Sequence, residues 1–332
     1  MPAANLDEFG RVKIANLNIS FCLATTDEHG NTMAEPGIER INYLDKGWPA
    51  PTNYTTQATF KNYLDNILKP SSIWDVTKYM NIWITDKSPA LTNAGVSSVP
   101  PLSGIADIPN SATDSTDGIW CYAKMTGSYP LFPSGTYLSS NIDGRTLTHE
   151  AGHYFGLRHI WGDTECGNDF CNDTPPAAGQ NGGAPDYPHH AGSCSSPSNS
   201  PDGEMFMNFM DYTMGPSKYM FTVDQMSRVH TALLNSPFRN QLGTHGICSV
   251  LSLVHPPQAK PPKINISIID SQVWVEIPDQ TIREIEIYSV SGMTVHRYHA
   301  PTFNLSDLPR GIYFLSIKTD NNAYNSKLAL NN

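Results

Sequence analysis

Residues 149–159 read HEAGHYFGLRH, and no other stretch of the chain narrows its fold as far. His149 and His153 are four apart, so on a helix both imidazoles leave the same face. That spacing lets two nitrogens reach one tetrahedral zinc at ~2.0–2.1 Å. Glu150, beside His149, can reach a water on the open metal position. Gly156 permits the left-handed conformation that ends a helix and turns the chain sharply. The turn brings His159 back as a third ligand. Three neutral nitrogens plus a water describe a catalytic zinc rather than a closed structural one. An accidental match of five fixed positions has roughly one chance in ten million per start, which favours zinc over an ordinary amphipathic helix.

The rest of the chain is compatible with that reading. With 332 residues, 39% hydrophobic and 10% aromatic, it has material for about two packed domains. A net charge of −10 and the lack of a Lys/Arg run give no electrostatic reason to bind nucleic acid. No stretch approaches the apolar length of a membrane span. The first residues, MPAANLDEFGRVK, lack the apolar core of a signal peptide. The six cysteines, Cys22, Cys121, Cys166, Cys171, Cys194 and Cys248, permit disulfides but form no C-x-x-C pair, which argues against a cysteine zinc site.

Periodicity divides the chain. Residues 11–25 alternate as a strand, and 56–68 carry Phe60, Tyr63, Leu64, Ile67 and Leu68 at helical spacing. Residues 80–86, 104–109 (GIADIP) and 117–125 are strand candidates, and 144–157 is a helix stopped by Gly156. Residues 162–204, rich in Gly, Pro, Asp, Asn and Ser, form a loop long enough to be functional or tied down by metal or disulfide. Thr222 and Gln225 make a capping box for a helix with a buried stripe of Met226, Val229 and Leu233, followed by Pro237. The first domain covers 1–250. A proline-rich linker lies within 251–263. Short alternating segments with turns at Ser291-Gly292 and Asp320-Asn321-Asn322 then make a small all-β sandwich over 264–332.

The stretch MFMNFMDYTM (205–214) crowds four methionines around an Asn, an Asp and a Tyr. On spacing alone it reads as a buried hairpin end. The zinc motif resembles that of the metzincin metalloproteases, in which a methionine-bearing turn lies beneath the ligands. More closely, GRTLTHEAGHYFGLRHIWGD, CGNDFCNDTPP, GEMFMNFMDY and MFTVDQMSRV together resemble the pappalysin family of metzincins, over roughly residues 14–240. The resemblance implies an α/β (α+β) catalytic domain with a mixed twisted sheet and a zinc helix, and hydrolysis of peptide bonds in proteins or peptides. It implies that His149, His153 and His159 bind zinc, that Glu150 is general base and then acid, that Met210 lies under the metal, and that Tyr212 donates to the oxyanion. Met205 and Met207 would alternate as a strand leading into the turn. Gly104, Ile105 and Ala106 would form the edge strand that receives an extended substrate. In the acidic loop that also holds Asp163, the resemblance implies calcium at Asp169, Asp173 and Thr174. It implies a disulfide between Cys166 and Cys194 and leaves Cys22, Cys121, Cys171 and Cys248 unassigned. The His189-His190 pair reads as polar surface.

Two departures from the family stand out. After MDY the chain runs TMGPSKYMFT, with Ser217 where the family has a cysteine and without the acidic residues that line the pocket for the side chain after the cut bond. Met214 and Pro216 suggest a less charged wall. The chain also shows neither the strand nor the long helix with which such domains open. Truncation is therefore expected, with apolar surface left uncovered.

LPRGIYFLSIKTDNN and the terminal KLAL resemble the C-terminal sorting domain of type IX secretion substrates. That implies an outer-membrane secretion machinery as partner, and a location outside or on the surface of a Gram-negative bacterium. The expectation is a monomeric secreted zinc endopeptidase. Its rivals are a surface binding or adhesion protein on an inactive, truncated protease fold, and a zinc hydrolase of non-protein substrates.

Overall fold

Two tryptophans organise the first part of the chain, each on one of a pair of parallel strands. The computed structural model describes residues 14–108, 113–129, 131–138, 143–245, 264–269, 271–278, 280–289, 294–320 and 323–330. It divides into two compact units, Met1–Val250 and Leu251–Asn332. In the first, β1 (Ile14–Ala15) precedes the helix α1 (Gln57–Tyr63), whose cap Thr56 accepts from the Thr59 amide at 3.3 Å. A wider π-helical turn, Leu64–Leu68, continues α1. The strand β2 (Ile82–Thr85) runs parallel to β4 (Ile119–Tyr122), and β3 (Gly95–Ser97) pairs antiparallel on the other side of β4. The order β2-β4-β3 is a mixed sheet.

Side chains alternate across such a sheet. Trp83 and Trp120 pack on Phe60, Tyr63 and Leu64, with Phe60 edge-on to Trp120 at 4.9 Å between centroids. Each buried aromatic there contributes about 2 kcal/mol. Ile119 points the other way and joins a core with Tyr154, Phe155 and Met210. That face carries α2 (Arg145–Tyr154), which lies on β3 and β4. Gly156 has φ +95°, so the helix ends where glycine alone enters the left-handed region freely. The short strand β5 (Phe221–Thr222) pairs with β1 and leads into α3 (Val223–Asn235). The capping box is present: Thr222 Oγ1 accepts from the Gln225 amide at 3.2 Å, and Gln225 Oε1 accepts from the Thr222 amide at 3.0 Å.

Four expectations need correction. Within 11–25, only Ile14–Ala15 is strand among the described residues. The Asn16 side chain accepts from the Asn18 amide at 2.9 Å, and Asn18 has φ +54°, which breaks the extended run. Residues 104–108 hold no strand, because Gly104 (φ +68°) and Asp107 (φ +62°) both leave the extended region. Gly104, Ile105 and Ala106 are therefore loop, and the antiparallel edge belongs to Gly95–Ser97. Met205 and Met207 are fully buried but sit in turns rather than in a strand. The buried stripe of α3 is Gln225, Arg228, Val229 and Ala232, with Met226 and Leu233 half-buried, because its inner face meets polar groups of the preceding turn. The outer strand β2 turns Ile82 and Ile84 to solvent.

In the second unit all pairings are antiparallel. One sheet has the order β10 (Thr302–Asn304), β7 (Gln272–Glu276), β6 (Asn265–Ile269). The other has the order β12 (Ala323–Leu330), β11 (Gly311–Thr319), β8 (Ile282–Ser289), β9 (Thr294–Tyr298). Val273, Val275 and Phe303 of one sheet share a core with Ile285, Ile287, Leu315 and Ile317 of the other, which makes a sandwich. Residues 251–263, Ser291-Gly292 and Asn321-Asn322 lie outside the described residues.

Candidate active site

The helix α2 and the turn after it bring the three histidines together. His153 Nε2 lies 3.2 Å from His149 Nε2 and 3.1 Å from His159 Nε2. Each Nδ1 is occupied on its far side. His149 Nδ1 donates to the Phe209 carbonyl at 2.7 Å, His153 Nδ1 to the Leu157 carbonyl at 2.9 Å, and His159 Nδ1 to Asp163 Oδ1. With the proton on Nδ1, every Nε2 presents a lone pair to the same point. Burial holds His153 down to about 4, and also lowers His149 and His159, so the rings are neutral. Three converging lone pairs with no proton between them repel one another unless a cation sits there. The donor set, three imidazoles held by oxygen acceptors, fits zinc. Among the described residues it is the one group of three or more His, Cys, Asp or Glu side chains so placed.

Besides Asp163 at Nδ1, two aromatic rings hold His159. Trp161 stacks on it at 4.3 Å between centroids, 3° from parallel, and Tyr212 meets it edge-on at 4.8 Å. Tyr212 is half exposed, and partial burial raises its pKa and keeps it protonated. Glu150 is 6% exposed, and burial pushes it up to about 8, opposed by the nearby Lys218. A cation bound by the imidazoles would act in the same direction as Lys218 and favour the carboxylate. Gly95 of the edge strand leaves the space for Glu150, since a β-carbon there would lie 2.5 Å from its Oε1.

Met210 is fully buried directly beneath α2, with its sulfur against Gly152 between the first two histidines. Its amide donates to Asn208 Oδ1 at 2.9 Å. Asn208 and Gln225 exchange two amide hydrogen bonds, at 2.9 and 3.1 Å, which fasten the turn to the start of α3. Asp211, also fully buried, accepts from the Asn181 amide, the Asn181 side chain and the Tyr212 amide, at 2.9, 2.9 and 2.7 Å.

The acidic loop divides its residues among different tasks. Asp163 leaves the loop cluster for His159. Thr174 donates to Asp169 Oδ2 at 2.8 Å, and Asp173 Oδ2 accepts from the Asp224 amide in the first turn of α3 at 2.9 Å. Cys166 and Cys194 are joined, while Cys121 and Cys171 are free and buried. His190 donates to the Ser195 carbonyl and His189 lies beside Phe206, so neither belongs to a metal group. Met214 is exposed, and Ser217 lies in a single 3-10 turn with Gly215 and Pro216. Sequence reasoning missed Asp163 as the His159 partner, Asn208 with Gln225, and the buried Lys218. Asp163 reaches His159 through a local left-handed turn, whereas Asn208 with Gln225, and Lys218 near Glu150, depend on contacts between separate segments.

Comparison with known proteins follows the same lines. A family model described as pregnancy-associated plasma protein-A matches residues 62–234, just over half of the chain. A second, described as a secretion system C-terminal sorting domain, matches residues 262–331. An extracellular metalloprotease of Neurospora crassa is 34% identical over 127 residues, 38% of this chain and 42% of that protein. One from Sordaria macrospora is 33% identical over 127 residues, with the same 38% and 42%. The matched region thus spans less than half the length of these curated relatives. Among solved structures, mature mirolysin of Tannerella forsythia in complex with a cleaved peptide is similar with a TM-score of 0.54 at 30% identity, covering 72% of this chain and 78% of that one.

Proposed function

The chain belongs to the pappalysin family of metzincins, with a sorting-type domain at its C-terminus, and from this we propose that it is a secreted zinc endopeptidase. The observation that carries the proposal is the convergence of three Nε2 lone pairs at 3.1–3.2 Å beside the buried Glu150. Zinc held by His149, His153 and His159 would polarise the scissile carbonyl and acidify the attacking water. Glu150 takes the proton of that water and returns it to the leaving amine, a role worth on the order of 10²–10⁴ in rate. The Tyr212 hydroxyl donates to the developing oxyanion. Met210 packs under α2 and keeps the first two ligands in register. Among the described residues β3 has a partner on one side only, and its other edge, next to Glu150, suits antiparallel addition of an extended peptide. The cleaved peptide in the mirolysin complex supports peptides as the substrate class.

Calcium at Asp169, Asp173 and Thr174 is a second proposal, supported by a buried Asp173 Oδ1 with no hydrogen-bond partner. Titration with terbium should give sensitised emission that calcium displaces, and no emission would count against it. The sorting domain supports export through an outer-membrane machinery of a Gram-negative cell. Among the described residues no helix is long and apolar enough to cross a membrane.

The central test is direct. Purified protein should hold one zinc per chain and cut denatured proteins, and Glu150→Ala or a chelator should abolish cutting. Zinc-loaded wild type that cleaves nothing in a broad peptide library overturns the reading. Binding of a partner protein with no turnover would favour the adhesion alternative.

A further inference from the structure

Two of the three metal-facing imidazoles rest on backbone carbonyls, and the third rests on a carboxylate. His159 Nδ1 donates to Asp163 Oδ1. The other oxygen of that carboxylate accepts from Arg158 Nε at 3.1 Å and Nη2 at 3.0 Å. The same guanidinium reaches across to a separate loop, where Nη1 pairs with Asp107 Oδ2 at 2.5 Å. One planar cation therefore holds two carboxylates, Asp107 and Asp163, from separate segments of the chain, and the nearer carboxylate orients a metal ligand.

The loop that carries Asp107 is gripped a second time. Arg228 of α3 donates to the Ala106 carbonyl at 2.9 Å and to the Gly156 carbonyl at 2.7 Å. Gly156 is the glycine that turns the chain between His153 and His159. Both guanidiniums lie over the ring of Phe170, at 5.9 Å for Arg158 and 5.3 Å for Arg228. Asp107 and Asp163 both have φ +62°, a left-handed conformation that residues with side chains rarely adopt and that aspartate tolerates better than most. The Asp163 side chain is 43% exposed, so its charge alone would be screened and weak. Its content lies in geometry, with one oxygen on the imidazole and the other on a two-pronged donor.

We propose that Asp163 is a positioning residue for the zinc ligand His159, and that Arg158 couples this carboxylate to the Asp107 loop. The inference rests on the zinc reading above. A carboxylate behind a ligating imidazole fixes its tautomer and ring plane, and its loss weakens metal binding by about 10–100-fold. Arg158 fixes the carboxylate in turn, so the loop beside the site and the third ligand move as one unit.

The experiment uses the full chain and four variants: Asp163→Asn, Arg158→Gln, Asp107→Asn, and Asp163→Asn with Arg158→Gln. Zinc affinity is read by competition with a chromophoric chelator, the ligand field by the visible spectrum of the cobalt-substituted protein, and the fold by thermal unfolding of the metal-free protein. Asp163→Asn should raise the zinc dissociation constant by about 10–100-fold, change the cobalt bands, and leave metal-free unfolding in place. Arg158→Gln and Asp107→Asn should shift affinity several-fold in the same direction. The double variant should bind about as Asp163→Asn does, because Arg158 acts through Asp163. Asp163→Asn with wild-type affinity and wild-type cobalt bands overturns the positioning role. Full additivity in the double variant overturns the coupling. If Asp163→Asn does not fold, unchanged affinity and bands in Arg158→Gln overturn the proposal instead. Wild type that binds no zinc brings down the site reading itself, a separate result.

Discussion

A β-carbon added to Gly152 would lie 2.3 Å from the sulfur of Met210. The helix that carries the first two histidines therefore touches its floor with no space for even a methyl group. Gly152→Ala should lose about 1–3 kcal/mol by overpacking and should also weaken zinc binding, because α2 must rise off Met210. Urea unfolding checks the first effect and chelator competition the second. Stability and zinc affinity both unchanged would show that the turn yields freely.

Tyr212 stands against His159 at 4.8 Å between ring centroids and is half exposed. Tyr212→Phe should reduce kcat on the order of 100-fold, the loss seen when one oxyanion donor is removed. KM and zinc content should hardly change. Steady-state kinetics on a peptide substrate, with metal analysis of the same sample, decides the matter.

Arg239 and Asp117 form an ion pair with side-chain exposures of 0% and 1%. Arg239 also stacks on Tyr154 of α2 at 3.7 Å and donates to the Val99 carbonyl at 3.1 Å. Arg239→Met strands a buried carboxylate and should cost about 3–5 kcal/mol. Adding Asp117→Leu should recover part of that loss, which chemical denaturation of both variants would measure.

Burial raises Asp211 from 3.8 to about 6. Between those values the folded state holds a proton that the unfolded chain has released. The stability this proton confers is complete below pH 3.8 and is lost as pH rises to about 6. The difference in unfolding free energy between wild type and Asp211→Asn should therefore fall by about 3 kcal/mol across that window. Denaturation of metal-free protein at several pH values tests it, and a flat difference would show that the three hydrogen bonds to Asp211 offset its burial.

The helices were legible because their signals are local. Thr222 with Gln225, Gly156, and the spacing of Phe60, Tyr63 and Leu64 all act within a few residues of one another. The sheet was harder. GIADIP alternates on paper as well as GVS does, and the structure separates them by the pairing of Gly95–Ser97 with β4 and by the left-handed Gly104 and Asp107. Asp163 looked like one more acid in an acidic loop. Its bond to His159 requires the left-handed turn at Gly162 and Asp163, which composition does not reveal. The methionines of 205–214 needed the helix above them before Met210 could be told from Met205.

His149 Nδ1 donates its hydrogen bond to a carbonyl sixty residues further along the chain, and the turn that supplies this carbonyl is fastened in its turn by Gln225 of α3. A chain emerging from its N-terminus thus exposes the zinc motif well before the floor and the fastening exist. Phe209 and Met210 must follow before the first ligand is oriented from below, and Arg239 before the pair with Asp117 can close. The three histidines are thus made before the parts of the chain that give the first of them its direction.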